Sequence, residues 1–278
     1  MLSVSRDRIF SSTVMIALTV AGILFKWVFI CVVLALIIGG LYEFFYLIKK
    51  KGYPIYSYTG IVIGSMIPLA IFFQFEMSSK SELLFMVLTL LLIFMLQFFQ
   101  KDNKNAVVGI STTLFGIVYV SWLFSFLIKI RYLMPEVPGA GVKLLAFILL
   151  VTKIGDVGAL LIGSKYGKTP LLPRVSPNKT VEGCVGSFAF SIIGAVLGGA
   201  LIPEQLNLSI LHIACMGAFF GGLGQVGDLS ESLIKRDFNV KDSGKLLPAL
   251  GGVLDAIDSI LFSAPVFYFY ISSIYLLG

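Results

Sequence analysis

The chain has 278 residues, of which 58% are hydrophobic and only 13% charged, with a mean hydropathy of +0.97. Soluble domains run at about 45–50% apolar and about 25% charged, so this chain has too little charge to coat a water-facing surface, which excludes an ordinary soluble globule in favour of a chain dissolved in lipid. The net charge of +6 does not indicate nucleic acid, because Lys and Arg sit in short stretches between apolar runs, the pattern of membrane orientation, and are not gathered on one polar face.

Arg6 and Arg8 precede the first apolar run, at 9–25. No small-residue cleavage site follows and a second apolar run begins at Trp27, so a retained membrane segment is expected and not a removed signal peptide. A spanning helix needs about 20 mainly apolar residues. Successive runs predict spans at 9–25, 27–48, 55–75, 82–99, 106–128, 143–163, 182–202, 209–227 and 257–277, with the short first span paired to the second as a tight hairpin. The runs are continuously apolar and lack the alternation of a lipid-facing strand, which predicts an all-α polytopic membrane protein with about nine transmembrane helices. With the N-terminus inside, 15 of the 21 Lys and Arg fall on the inner side, Lys245 among them, and an odd span count puts the C-terminus outside. Cys31, Cys184 and Cys215 lie in apolar stretches without metal-ligand spacing and read as buried packing residues. His212, the one histidine, reads as structural for the same reason.

Two long polar interruptions, 164–181 and 228–256, fall on the same predicted side. They divide the chain into an N-terminal scaffold, 1–142, suited to lipid or dimer contacts, and a C-terminal catalytic region, 143–278. Gly194-x-x-x-Gly198 and Gly217-x-x-x-Gly221 read as packing devices that let helices approach closely.

Six of the fifteen acidic residues fall between 228 and 258: Asp228, Glu231, Asp237, Asp242, Asp255 and Asp258. Carboxylates at a membrane boundary are costly and tend to be functional. Asp228 and Glu231 are spaced i,i+3, as are Asp255 and Asp258, so each pair shares a face if helical. Two such faces converging make an oxygen-rich pocket, and hard oxygen ligands together with substrate phosphates suit Mg2+. Asp237 reads instead as part of a solvated ion pair. Glycines on either side, Gly221, Gly222, Gly224 and Gly227 before and Gly251 and Gly252 after, allow close backbone approach to a ligand.

The stretch Gly163-Ser-Lys-Tyr-Gly-Lys-Thr169 is not a P-loop: its glycines have three residues between them where four are needed, and it follows an apolar span and runs into Pro170. In Ser176-Pro-Asn-Lys-Thr180, a Ser, Asn or Thr side chain can cap the following helix, whose free N–H groups suit a phosphate, with Lys179 as a point charge. Lys153 and Asp156, one helical turn apart, form either an intramembrane pair or a functional polar site.

The run Gly227-Asp-Leu-Ser-Glu-Ser-Leu-Ile-Lys-Arg236, with Lys241-Asp-Ser-Gly244, Leu247-Pro248, Gly251-Gly252, Leu254-Asp255 and Asp258-Ser259, resembles the signature of CTP:phosphatidate cytidylyltransferases, the CDP-diacylglycerol synthases. The segment Ser176-Pro-Asn-Lys-Thr-x-Glu-Gly183 resembles that family's second hallmark, and Asp156 stands where the family has an acid. The close resemblance covers about 150–260. It implies a homodimeric, all-helical enzyme of the cell inner membrane, with its site facing the cytoplasm, that makes CDP-diacylglycerol and pyrophosphate from CTP and phosphatidate with Mg2+, one ion or two. It implies Asp228, Asp255, Lys241, Asp242 and Glu231 as catalytic, Ser176, Lys179, Thr180, Lys235, Arg236 and Asp156 as substrate-binding, and Asp228, Asp255 and Asp258 as metal ligands. Two positions depart from the family pattern: Leu250 stands where the family has His and Ala256 where it has Arg. Every acid of the signature remains. A cytidylyltransferase acting on another lipid phosphate, a catalytically silent relative and a secondary transporter, which also carries intramembrane acids and glycine-rich spans, are the competing readings.

Overall fold

A computed structural model describes residues 6–74, 79–244, 246–247 and 251–277; Lys245 and Leu250 lie outside the described residues. Each apolar run of the sequence is helical over most of its described residues. Six helical stretches are long and apolar enough to cross a membrane: Lys26–Lys50, Ala106–Arg131, Ala140–Tyr166, Val181–Leu201, Ile210–Asp237 and Val253–Leu276. Three shorter apolar helices, Ser11–Leu24, Ser57–Phe72 and Glu82–Phe98, accompany them. Large apolar side chains such as Leu83, Leu91, Leu161 and Leu211 are exposed, a surface that only lipid can cover at this density. The chain is an all-α polytopic membrane protein.

It folds as two compact units, Met1–Ile128 with Asp242–Leu254, and Lys129–Lys241 with Asp255–Gly278. The first unit contains α1 (Arg6–Leu24), α2 (Lys26–Lys50), α3 (Ser57–Phe72), α4 (Ser79–Phe98) and α5 (Ala106–Gly116). Only Phe25 separates α1 from α2, and the two helices pack on one another as expected. α5 runs through a π-helical stretch, Ile117–Trp122, into α6 (Leu123–Arg131), on which the second unit begins. Ile37, Leu41, Phe44 and Phe45 of α2 are fully buried and form the centre of this unit.

The second unit is built from α7 (Ala140–Tyr166), β1 (Pro170–Leu172), β2 (Ser176–Thr180), α8 (Val181–Leu197), α9 (Ile210–Asp237) and most of α10 (Val253–Leu277). α8 packs against both α7 and α9. Both small-residue motifs serve this packing. Gly217 and Gly221 of α9 lie against Ala195 and Ser191 of α8, while Gly194 and Gly198 face Ile154 and Leu150 of α7.

Three details differ from the sequence reading. α9 continues past residue 227 to Asp237, and α10 begins at Val253, so much of the polar interruption 228–256 is helical. Charges do not end a helix when they pair along it, as Glu231 and Lys235 do at i,i+4. The interruption 164–181 contains a short antiparallel hairpin, β1 with β2, pairing Pro170 with Thr180 and Leu172 with Ser176. Cys31 and Cys215 are exposed and Cys184 is half-buried, all three free, so they are not core packing residues. His212 bonds to the Tyr270 hydroxyl within the second unit, in keeping with a structural role.

Candidate active site

The site is set by how closely α9 meets α10. A Cβ on Gly227 would run into the backbone carbonyl of Asp258, so only glycine lets the helices touch there. The next residue on α9, Asp228, thereby comes beside the first turns of α10. The glycine read as admitting a ligand instead admits a second helix.

Along α9, Asp228, Glu231 and Lys235 follow at i, i+3 and i+7 and share one face. Lys235 is the link across the helices: its Nζ reaches Asp255 Oδ1 at 2.5 Å and also pairs with Glu231, which is 1% exposed. Lys179, next to last in β2, places its Nζ 2.7 Å from Asp228 Oδ2. Asp258 is buried and accepts the backbone N–H of Ser259 at 2.6 Å. It lies within electrostatic reach of Asp228, Glu231, Asp156 and Lys153. Lys153 and Asp156 of α7 form the expected pair, at 3.0 Å, but the pair belongs to a larger network. Ser259 donates its hydroxyl to Asp156 Oδ2 at 2.9 Å, and Lys153 Nζ donates to Ser259 Oγ at 3.0 Å and to the Ala256 carbonyl at 3.2 Å.

The hairpin is fixed by its own side chains. Thr180 caps α8 by accepting the Gly183 N–H at 3.1 Å, as its position before an apolar run suggests. Glu182 accepts the N–H groups of Lys168 and Thr169 at 3.1 and 3.2 Å and the Thr169 hydroxyl at 2.9 Å, tying the base of the hairpin to the start of α8. Ser176 is buried at the start of β2. Arg236 donates through Nε to the Val175 carbonyl at 3.2 Å and through Nη1 to the Val240 carbonyl at 3.4 Å, holding the hairpin and the end of α9 together. Lys241 and Asp242 are exposed in the bend after α9 and make no ion pair among the described residues.

The structure therefore brings together Asp156, Lys179, Asp228, Glu231, Lys235, Asp255 and Asp258, joins to them Lys153, which the sequence leaves as either a plain intramembrane pair with Asp156 or a functional polar site, and adds Ser259, to which the motif reading gave no role. It also reveals Glu43, an acid within the apolar α2 that the motif reading passed over. In the first unit, Glu43 is 2% exposed and its Oε2 accepts the Ser243 hydroxyl and the Leu254 N–H, both at 3.1 Å. Gly244 and Gly252 press against its carboxylate so closely that a Cβ at either would collide. Between them, Leu247 and Gly251 exchange backbone bonds at 3.2 and 3.1 Å. Glu43 thus clasps both ends of segment 243–254, which leads into Asp255. An acid inside an apolar run is itself the signal for such a role.

The donor set suits a hard divalent cation. Asp156, Asp228, Glu231, Asp255 and Asp258 outnumber the three lysines among them, and carboxylate oxygens are what Mg2+ selects. No group of three acids, histidines or cysteines is gathered into a metal cage among the described residues, and Asp228 and Asp255 are each paired with a lysine.

The sequence model of the Cytidylyltransferase family matches residues 6–274, nearly the whole chain. The chain belongs to that family. Among its relatives, the phosphatidate cytidylyltransferase of Synechocystis sp. (strain ATCC 27184 / PCC 6803 / Kazusa) is 31% identical over 95% of this chain and 96% of its own length. The phosphatidate cytidylyltransferase of Bacillus subtilis (strain 168) is 35% identical over 71% of this chain and 70% of its own. The uncharacterized protein YnbB of Escherichia coli (strain K12) is 38% identical over 57% of this chain, and the match spans half of that protein's length. Membership makes the chain a nucleotidyltransferase. A cytidylyltransferase handles polyphosphate, and the lysines of the cluster are cations suited to it. At Ala256, one of the two positions departing from the family pattern, Lys153 already places an ammonium on the residue's own carbonyl.

Proposed function

We propose that this cytidylyltransferase makes CDP-diacylglycerol and pyrophosphate from CTP and phosphatidate. The observation that carries the reading is the convergence of Lys179 and Lys235 with Asp228, Glu231 and Asp255 where α9 meets α10. The names of the Synechocystis and Bacillus subtilis relatives point to the same substrates.

In the reaction a phosphate oxygen of phosphatidate attacks the α-phosphorus of CTP. A new P–O bond forms, the bond from the α-phosphorus to the bridging oxygen breaks, and pyrophosphate departs with its electron pair. The nucleophile is already an anion near neutral pH, so no general base is needed. What the chain must supply is charge and alignment, as in other phosphoryl transfers. Lys179 and Lys235 exchange their carboxylate partners for phosphate oxygens. Lys153 and Ser259 hold Asp156 and the start of α10 in place. Arg236, Thr180 and Glu182 keep the hairpin rigid, so that Lys179 is presented in a fixed position. Asp228, Asp255 and Asp258 would hold Mg2+, whose chemistry when bound is to neutralise phosphate charge and orient the leaving group; the remaining carboxylates offer ligands for a second ion. The site lies at one end of α9, on the side that the Lys and Arg bias assigns to the cytoplasm, where CTP is available. An inner-membrane homodimer completes the reading.

Lys235 and Asp255 pair near the C-terminal end of α9 and the N-terminal end of α10, and only Lys153 and Asp156 lie mid-helix, in α7; this one-ended weighting argues against a transporter. The test is conversion of radiolabelled CTP and phosphatidate to CDP-diacylglycerol by purified protein in detergent, with and without Mg2+. Mg2+-dependent product is expected, with Asp228→Ala and Asp255→Ala folded but inactive. Product only with another lipid phosphate would reassign the substrate, and turnover retained by either variant would remove the metal assignment.

A further inference from the structure

The first unit contains a second basic site, separate from the acids and lysines of the reaction. A cavity of about 980 Å³ opens among the C-terminal ends of α2 and α4 and the N-terminal ends of α3 and α5. Lys49, Lys101 and Lys104 line it. None of the three makes an ion pair among the described residues, in contrast to Lys153, Lys179 and Lys235 of the second unit, each of which holds a carboxylate. The one acid of the lining, Asp102, turns its Oδ1 to the backbone N–H of Lys104 at 2.9 Å and so serves the turn.

The floor is built and polar. Gln97 is 6% exposed, accepts the Tyr56 hydroxyl through Oε1, and donates through Nε2 to the Asp102 carbonyl and to Asn103 Oδ1, both at 3.4 Å. This fixes the turn that carries Lys101 and Lys104. Both α3 and α5 start at the cavity, at Tyr56 and Asn105, and neither start is capped by a side chain. Two positive helix ends and three lysines border one concavity, a setting that favours an anion there. The volume is that of a small-molecule site. Phe99, in the lining, is 84% exposed and Phe98 beside it 73%, an apolar surface beside the opening that suits lipid.

We infer that this cavity binds the phosphate of an anionic phospholipid headgroup, as a site distinct from the catalytic one. A phosphodiester such as phosphatidylglycerol fits the chemistry and is not turned over in the proposed reaction, and the lysine variants separate its binding here from binding at the catalytic site.

The experiment is native mass spectrometry of the full-length protein in detergent, titrated with phosphatidylglycerol or phosphatidylcholine, with inorganic phosphate as competitor. The triple variant Lys49→Gln/Lys101→Gln/Lys104→Gln is compared with Lys165→Gln/Lys168→Gln, which removes exposed lysines elsewhere. One phosphatidylglycerol retained per chain is expected, with phosphatidylcholine not retained. Each lysine contributes roughly fivefold to holding an anionic headgroup, so the triple variant should weaken retention by on the order of a hundredfold. The Lys165/Lys168 variant should retain the lipid, and the triple variant should keep its melting temperature. Displacement by inorganic phosphate at equal concentration would keep the phosphate chemistry and overturn the lipid as its source. Equal loss in both lysine variants, or equal retention of phosphatidylcholine, would overturn the site.

Discussion

Replacing Glu43 by alanine removes the acceptor that both ends of segment 243–254 share. The Ser243 hydroxyl and the Leu254 N–H, each 3.1 Å from Glu43 Oε2, are left in a buried setting without it. A buried donor left without its acceptor costs about 1–3 kcal/mol, so the closed segment loses roughly 2–6 kcal/mol. One factor of ten corresponds to about 1.4 kcal/mol, so turnover should fall by at least about tenfold if the closed segment is what presents Asp255. Glu43→Gln keeps one carbonyl oxygen to accept from Ser243 and Leu254 while exchanging the charge and the other oxygen for an NH2 group, so its turnover should stay within about tenfold of the parent. Ser243→Ala removes one donor with its bond and should fall between the two. The assays are turnover at saturating CTP and hydrogen–deuterium exchange of the peptide spanning 243–254, with melting in detergent as the check on folding. Faster exchange confined to that peptide, with a lower kcat and a preserved KM for CTP, identifies a positioning residue. Parental kcat and exchange in Glu43→Ala would refute the reasoning, even with a reduced melting temperature.

Gly227→Ala places a methyl against the Asp258 carbonyl, a backbone atom that cannot swing aside. Overpacking of this kind costs about 1–3 kcal/mol, and because the parting of α9 from α10 separates Asp228 from Asp258, melting temperature and turnover should both drop; unchanged turnover would show that the close approach is not needed. Lys153→Ala leaves Asp156 without its cation and should lower turnover by about tenfold or more. Ala256→Arg should leave the parent's kinetics unchanged and restore part of the Lys153→Ala loss. An Ala256→Arg protein markedly faster than the parent would show instead that Lys153 does not stand in for the absent arginine.

The transmembrane helices are legible in the sequence because burial in lipid demands unbroken apolar runs, and each predicted run is helical over most of its described residues. Their ends are not legible. Hydropathy treats Asp228 and Asp255 as the limits of spans, whereas the helix hydrogen bonds continue wherever side-chain charges find partners, as Glu231 does in Lys235. The hairpin at 170–180 escaped because its two strands are too short to carry an alternating pattern. The acids of the site could be read because their i,i+3 spacing is local and repeated. Glu43 could not be assigned a partner in this way: Ser243 lies 200 residues further along the chain, and nothing near Glu43 in sequence shares its chemistry. Lys153 and Asp156 were legible as a pair, but not their bonds to Ser259 on another helix.

The charge pattern also explains how a membrane protein tolerates so many acids in one place before its substrates arrive. An isolated carboxylate taken out of water is expensive, and a paired one is tolerated only with good geometry and further hydrogen bonds. Here Lys179 holds Asp228, Lys235 holds both Glu231 and Asp255, and Lys153 holds Asp156 with the help of Ser259. The same lysines are the cations a triphosphate needs. A site built only of lysines would be strongly positive when empty, and one built only of acids would repel CTP. Interleaving the two leaves the cluster with two more carboxylates than lysines, and on the proposed function anionic substrates and a divalent cation would each relieve the partner that the other displaces. On this argument neither the lysines nor the acids are secondary, and removing one member should disturb the empty protein as well as the reaction.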